Sequence, residues 1–173
     1  MTEGADFESL VASHYKPLYQ FAFSLTRDEA DACDLTQQTF CIWAAKGHQL
    51  RDVSKVKTWL FTTLHREFLG ARRKLVRFPQ VELEQADAEL PVVAPASFNS
   101  VDAAQVTATL AGLDEIYRAP VALFYLQDYS YNEIAEILEI PIGTVKSRLA
   151  RGLGRLHQLL TSGTMTASPR SEL

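Results

Sequence analysis

The side chains best placed to do chemistry lie in a cationic stretch near the C-terminus. From Pro141 to Leu160 the sequence contains four basic residues and no acid. Lysine and arginine bind phosphates and guanine acceptors, serine hydrogen-bonds to base edges, and alanine can contact a thymine methyl group. These residue types occur together here as Thr144, Lys146, Ser147, Ala150 and Arg151. The stretch therefore suits recognition of a nucleic acid better than bond-making catalysis.

Two helices separated by a short break are expected to position these residues. Ser130 is followed three residues later by Glu133, a capping box that predicts the start of the first helix. Pro141 and Gly143 are expected to interrupt it, and a second helix begins around residues 142–144. The apolar positions of the second helix are Val145, Leu149, Leu153, Leu156, Leu159 and Leu160. This is the layout of a helix-turn-helix, although a helical hairpin with solvated charges has the same pattern.

Length and composition fit one ordinary domain or two small ones in a chain of 173 residues. No apolar run reaches membrane-spanning length, and the N-terminus lacks the pattern of a signal peptide, so we expect a cytoplasmic protein without membrane insertion. Cys33 and Cys41 lie on one predicted helix, roughly 12 Å apart, too far for a disulfide, and are interpreted as buried thiols. The histidines form no ligand spacing with them, so neither a metal nor a cofactor is expected.

Charge is distributed unevenly along a chain whose formal net charge is −4. Residues 46–77 contain nine basic side chains and two acidic ones, whereas residues 78–102 contain five acids and no base. Together with the cationic stretch near the C-terminus, this distribution predicts two separate contacts with a polyanion. Basic residues at the end of the third predicted helix could instead only cap that helix.

Helical periodicity divides the chain into two parts and predicts an all-α fold. We predict two small helical domains, at 1–76 and 101–162, with the helix-turn-helix in the second. A flexible acidic linker at 77–100 joins them, and a polar tail occupies 163–173. In the first domain, helices are predicted at about 29–45 and 54–74, after an N-terminal helix that contains Pro17. No strand pattern is evident.

Three segments resemble bacterial extracytoplasmic-function (ECF) sigma factors. E-I-A-E-I-L-E-I-P-I-G-T-V-K-S-R-L at 133–149 resembles their promoter-reading helix-turn-helix. D-A-C-D-L-T-Q-Q-T-F at 31–40 resembles the segment that docks on the clamp helices of RNA polymerase. V-K-T-W-L-F-T-T-L at 56–64 resembles the helix that reads the minus-ten promoter element. The chain departs from the family pattern at Gln38, Arg66 and Gly70, where glutamate, asparagine and a nearby aspartate are usual.

The resemblance implies a sigma factor, not an enzyme, that binds core RNA polymerase and promoter DNA and is held by an anti-sigma factor. Such a protein directs promoter-specific initiation by reading two promoter elements and stabilising the melted strand. The resemblance assigns contact with the minus-thirty-five element to Thr144, Lys146, Ser147, Ala150 and Arg151. It assigns the minus-ten element to His48, Gln49, Arg51, Lys55, Lys57 and Arg66. It assigns polymerase binding to Asp31, Asp34, Gln37 and Gln38.

Two other classes of protein share parts of this pattern. A conventional helix-turn-helix regulator would explain residues 130–160 but would leave the N-terminal basic block and the segment 31–40 without a role. An interaction protein with paired helical domains would show no salt-dependent affinity for DNA. An enzyme fits least, because the sequence shows no nucleophile–base pair, phosphate-binding loop or metal-ligand spacing.

Overall fold

The computed structural model describes residues 3–76 and 103–164, with side chains at 6–75 and 107–162. These ranges are entirely helical apart from turns, as predicted. The predicted linker at 77–100 and the tail at 163–173 lie outside the described residues, apart from the last turn of the final helix. The helices are α1 (Glu3–Thr26), α2 (Glu29–Lys46), α3 (Val56–Val76), α4 (Ala103–Leu110), α5 (Glu115–Gln127), α6 (Tyr131–Leu138) and α7 (Ile142–Thr164). No helix in the described ranges has the length and apolar character needed to cross a membrane.

Helices α1, α2 and α3 form the N-terminal bundle. Arg27 ends α1 in the left-handed conformation with φ 59°, and Asp28 then caps α2 by accepting a hydrogen bond from the Asp31 amide. The core includes Phe21 and Phe61, whose ring centroids lie 5.4 Å apart. Two short 3₁₀ turns, Gly47–Gln49 and Val53–Lys55, form the loop that leads into α3. This loop therefore has a defined path beside the bundle.

Helices α4 to α7 form the C-terminal bundle. The predicted capping box is present, since the Ser130 hydroxyl accepts from the Glu133 amide and the Glu133 carboxylate accepts from the Ser130 amide. Helix α7 packs closely on α5 at Gly152, where an added Cβ would lie 2.5 Å from Val121. Helix α5, which is buried over residues 118–123, therefore supports the helix-turn-helix formed by α6 and α7.

The two bundles pack against each other through α1 with α5 and α3 with α6. Arg118 is 5% exposed and donates hydrogen bonds to the Leu113 carbonyl at 3.1 Å and the Leu25 carbonyl at 3.0 Å. Phe61 on α3 and Tyr129 pack in a T-shaped arrangement, with ring centroids 5.4 Å apart. The Arg118 guanidinium and the Phe61–Tyr129 ring pair therefore connect the two bundles.

Several local expectations are wrong. Gly143 does not interrupt the helical pattern but lies inside α7. The residue with a left-handed backbone in the turn is Glu139, with φ 56°. Leu159 is 39% exposed because it lies beside, and not on, the buried stripe of α7. The cysteines are not buried thiols: Cys33 is half-buried and Cys41 is exposed. Cys33 lies at the edge of the buried stripe of α2, with its sulfur 3.7 Å from the Tyr15 hydroxyl of α1, and Cys41 lies outside that stripe.

Candidate nucleic-acid interfaces

The first candidate surface is the N-terminal half of α7. Val145 and Leu149 are buried at 0% and 1% exposure and fix the inner face of this helix. Lys146, Ser147 and Arg151 are therefore exposed on its outer side, with Thr144 and Ala150 half-buried beside them. The helix begins directly after Pro141, whose carbonyl accepts from the Thr144 and Val145 amides. All five side chains predicted to act together lie on one short stretch of helix.

The second candidate surface combines the 47–55 loop with α3. His48, Gln49, Arg51, Lys55 and Arg66 are exposed, and Lys57 is half-buried. Asp52 organises the loop by accepting from the Ser54 amide at 3.0 Å and the Ser54 hydroxyl at 2.6 Å. These hydrogen bonds hold the pKa of the Asp52 carboxyl below its ordinary value, so it stays charged among the cations. The Asp52–Ser54 hydrogen bonds therefore order this polar loop at the start of α3.

Sequence reasoning missed the aromatic side chains next to this loop. A cleft of about 880 Å³ opens between the loop and the start of α1. Its lining includes His48 from the loop, Phe7 and His14 from α1 and Trp43 from α2. Trp43 and Trp59 pack in a T-shaped arrangement, with ring centroids 5.0 Å apart. The loop itself contains no Phe, Tyr or Trp, so only the packing of α1 and α2 places aromatic rings beside it.

A third surface is the polar face of α2, where Asp31, Asp34, Gln37 and Gln38 are all exposed. The Gln38 side-chain amide donates to the Glu67 carboxylate of α3 at 2.7 Å. A carboxylate from α3 therefore stands beside the position where the family pattern would have a glutamate on α2. No short-range pattern in the sequence points to Glu67, because it lies 29 positions from Gln38.

Acidic residues of the C-terminal bundle contact the second candidate surface. The Lys55 ammonium lies 3.0 Å from the Glu136 carboxylate, and Arg66 forms an ion pair with Glu139. The Lys57 ammonium lies 4.9 Å from the centre of the Tyr129 ring. Three of the six residues predicted for the minus-ten element are therefore engaged within the chain. Lys146, Ser147 and Arg151 are exposed on α7, where the Ser147 hydroxyl donates to the Thr144 carbonyl at 3.1 Å.

Comparison with known proteins gives the family. Residues 10–78 match the family described as Sigma-70 region 2, and residues 103–156 match Sigma-70, region 4. The chain is 32% identical to the sigma factor RpoE from Bartonella quintana, solved in complex with the anti-sigma factor NepR. That match has a TM-score of 0.70 and covers 90% of this chain and 97% of RpoE. The chain belongs to the ECF RNA polymerase sigma factor family.

Two further ECF sigma factors support this assignment. SigM of Bacillus subtilis is 28% identical over 90% of this chain and 96% of its own length. SigE of Mycolicibacterium smegmatis is 31% identical over 89% of this chain, which spans only 61% of that longer relative. As an ECF sigma factor, the protein is a transcription initiation factor that works with RNA polymerase at promoters and is not an enzyme.

Proposed function

We propose that this ECF sigma factor reads the minus-thirty-five element with α7 and the minus-ten element with the 47–55 loop and α3, and that it stabilises the melted strand. The observation that carries the proposal is the pair of cationic surfaces on separate bundles. Each surface consists mainly of exposed side chains and includes one face of a helix, α7 or α3, whose opposite face is buried. Phosphate neutralisation supplies affinity at both surfaces, while contacts with base edges supply sequence preference.

At the minus-thirty-five element, the start of α7 enters the major groove. Lys146 and Arg151 reach guanine acceptors or phosphates, Ser147 hydrogen-bonds, and Ala150 contacts a thymine methyl group. Thr144 lies in the first turn of α7, where backbone amides and the helix dipole favour a phosphate. Support comes from the exposure of Lys146, Ser147 and Arg151 and from the rigid anchoring of α7 by its buried leucines.

At the minus-ten element, the cleft beside the loop accepts an unpaired base. Opening DNA costs roughly 1–2 kcal/mol per base-pair step, which stacking and phosphate contacts must offset. Phe7 and Trp43 supply aromatic surface in the cleft, and His48 supplies a polar edge. Gln49, Arg51, Lys55, Lys57 and Arg66 continue the polar and cationic surface toward α3. The strand would therefore follow the loop onto the helix.

The polar face of α2 is the proposed contact with core RNA polymerase, through Asp31, Asp34, Gln37 and Gln38. Glu67 adds a negative charge beside Gln38, which itself has none. The solved RpoE complex contains an anti-sigma factor, and we propose that this chain has such a partner as well.

We propose that the two parts of the chain, 1–76 and 101–162, act as separate domains. The proposed place of action is the cytoplasm, where the chromosome and its polymerase are.

Transcription with purified components tests the proposal. Sigma-free core polymerase is mixed with this protein and genomic DNA fragments, and the transcript start sites are mapped. We expect transcripts from a small set of start sites that share upstream elements near minus ten and minus thirty-five. A conventional regulator would bind DNA yet give no transcripts with core polymerase alone.

Matched variants then distinguish polymerase binding by the polar face of α2 from DNA binding by α7. Asp31→Ala with Asp34→Ala should reduce capture of core polymerase while leaving binding of isolated minus-thirty-five duplex unchanged. Glu8→Ala, which removes an exposed acid on α1, is the control and should alter neither. Normal polymerase capture by the double aspartate variant would remove this face of α2 from the interface.

A further inference from the structure

The 47–55 loop exposes an apolar side chain among its polar ones. Val53 is 80% exposed, more than any other large apolar side chain in the described part of the chain. Arg51 and Lys55 lie two residues to either side of it. Both are exposed, and Lys55 also contacts the Glu136 carboxylate at 3.0 Å. Isolated exposed apolar side chains are common on proteins, so exposure alone gives Val53 no role.

The backbone that leads to Val53 is fixed by local contacts. At the start of the loop, Gly47 lies so close to the Trp43 ring that an added Cβ would be 2.6 Å from it. Asp52 then accepts a hydrogen bond from the Ser54 amide at 3.0 Å and caps the 3₁₀ turn that Val53 begins. Valine is β-branched, so its side chain has little rotational freedom of its own. The loop therefore presents a small, rigid apolar group at a defined place.

Val53 also belongs to the cleft that we propose for an unpaired base. It lines this cleft of about 880 Å³ together with Phe7, Trp43 and His48. A base that leaves the duplex for the cleft opens a gap in the base stack, and the gap closes again unless another group fills it. Proteins that unstack DNA frequently insert an aliphatic side chain between base steps. An aliphatic group thus lies next to the space where an extruded base would be held.

We propose that Val53 is an apolar wedge that enters the base stack at the minus-ten element and keeps the step open while the unpaired base occupies the cleft. The inference rests on the proposed function, because it takes the 47–55 loop as the contact with melted DNA. Arg51 and Lys55 bind the phosphates on either side of the opened step. The isopropyl group leaves water for contact with the neighbouring bases, which offsets part of the lost stacking. The wedge assists melting at any sequence, since it reads no base edge.

Three variants isolate this role. Val53→Ala removes two methyl groups and leaves the backbone as it is. Val53→Ile keeps a β-branched apolar side chain, so it should keep the wedge. Leu75→Ala is the control, because it shortens another exposed aliphatic side chain, 68% exposed, at the far end of α3. All three changes are at exposed positions, and circular dichroism should show unchanged helicity.

The first measurement is single-round transcription by core polymerase with each variant, from the strongest promoter found by start-site mapping. One template is fully paired, and the other carries mismatches over the melted stretch, so that it is already open. Val53→Ala should reduce output from the paired template by roughly tenfold, because two methyl groups no longer contact the opened step. Output from the mismatched template should stay within about twofold of the wild type. Val53→Ile and Leu75→Ala should equal the wild type on both templates.

Two results would overturn the inference. If Val53→Ala and the wild type give the same output from the paired template, Val53 does not assist opening. If Val53→Ala loses output equally on both templates, Val53 makes a contact that is still needed after opening, either with polymerase or with the melted strand. Neither result would affect the assignment of the loop to the minus-ten element.

The second measurement locates the opened step. The fluorescent base 2-aminopurine, which brightens when it is unstacked, replaces each adenine of the paired minus-ten element in turn. In complexes with polymerase, Val53→Ala should lower the signal at the step that the wedge occupies, whereas Val53→Ile should preserve it. Equal signals for Val53→Ala and the wild type at every position would contradict insertion of Val53 into the stack.

Failure of the proposed function gives a different pattern. In that case the wild type itself would give no specific transcript from the paired or the mismatched template, and no 2-aminopurine position would brighten. The wedge alone fails when the wild type transcribes both templates and Val53→Ala behaves in the same way.

Discussion

The Arg66 guanidinium on α3 forms a two-point ion pair with the Glu139 carboxylate at the end of α6. Its Nε and one terminal nitrogen donate to different oxygens of Glu139. Glu139 is also the left-handed residue that turns the chain toward α7. The pairing lowers the pKa of the Glu139 carboxyl, which therefore stays ionised at neutral pH. One residue thus shapes the helix-turn-helix and contacts the other bundle.

Arg151→Ala should weaken binding to the minus-thirty-five element by about 1–3 kcal/mol if this side chain reads a base. Arg155→Ala is the matched control, since it removes the same charge one turn further along α7. Both variants should reduce the salt dependence of binding, but only Arg151→Ala should change the preferred sequence. A mobility-shift assay over a set of single-base variants measures this difference. Equal sequence preference for both would remove Arg151 from base recognition.

Gly152→Ala should destabilise the C-terminal bundle by about 1–3 kcal/mol, because overpacking forces helices apart. The added Cβ would lie 2.5 Å from Val121 Cγ2 and 3.1 Å from Tyr117 Cβ. Gly70→Ala is the control: its Cβ would meet nothing within 4 Å. Alanine favours a helix interior by about 1 kcal/mol over glycine, so Gly70→Ala should stabilise the protein. Urea denaturation distinguishes the two, and equal effects would contradict the close packing of α5 on α7.

Ser130→Ala should lower the free energy of unfolding by about 1 kcal/mol, because the first turn of α6 loses its capping hydroxyl. The Glu133 carboxylate would keep its hydrogen bond to the backbone at position 130. Ser162→Ala near the exposed end of α7 provides the control and should change stability little. Thermal unfolding followed by circular dichroism gives both values. No loss for Ser130→Ala would mean that the capping box does not stabilise the helix-turn-helix.

His65 should make the protein less stable as pH falls below about 6.5. The pKa of this imidazole is lowered from 6.5 to about 4, chiefly by burial; Glu139 opposes this shift, and Arg148 adds to it. Between these values the unfolded chain binds a proton that the folded chain does not. The free energy of unfolding therefore falls with decreasing pH, by about 1.4 kcal/mol per unit for one proton. Below pH 4 both states are protonated and this contribution no longer changes.

Denaturation at a series of pH values between 7 and 5 measures the effect. His65→Gln should flatten the dependence, whereas His48→Gln, at an exposed loop position, should leave it unchanged. His14 contributes in the same direction, because burial and Lys57 also lower its pKa. An identical slope for wild type and His65→Gln would contradict the lowered pKa of His65.

Local patterns in the sequence determined the helices, the capping box and most of the core. Ser130 and Glu133 are three residues apart, so their reciprocal hydrogen bonds follow from local chemistry alone. Leucine spacing likewise placed Lys146 and Arg151 on the outer side of α7, since a helix fixes which residues share a face. The family pattern predicts the docking and promoter segments on the same short-range basis. Gly143 lies inside α7 and not in the turn, because glycine permits a turn but does not require one.

Only the tertiary structure decided what lies opposite each surface. Glu136 and Glu139 read as the solvated face of a short acidic helix, yet they contact Lys55 and Arg66 more than 70 residues earlier. Trp43 comes to line the cleft, and Glu67 comes to stand beside Gln38, through the packing of separate helices. Periodicity reports which face of a helix is turned away from solvent, but it contains no information about the partner. Which segment packs on that face depends on contacts between distant parts of the chain, and these contacts exist only once the chain has folded.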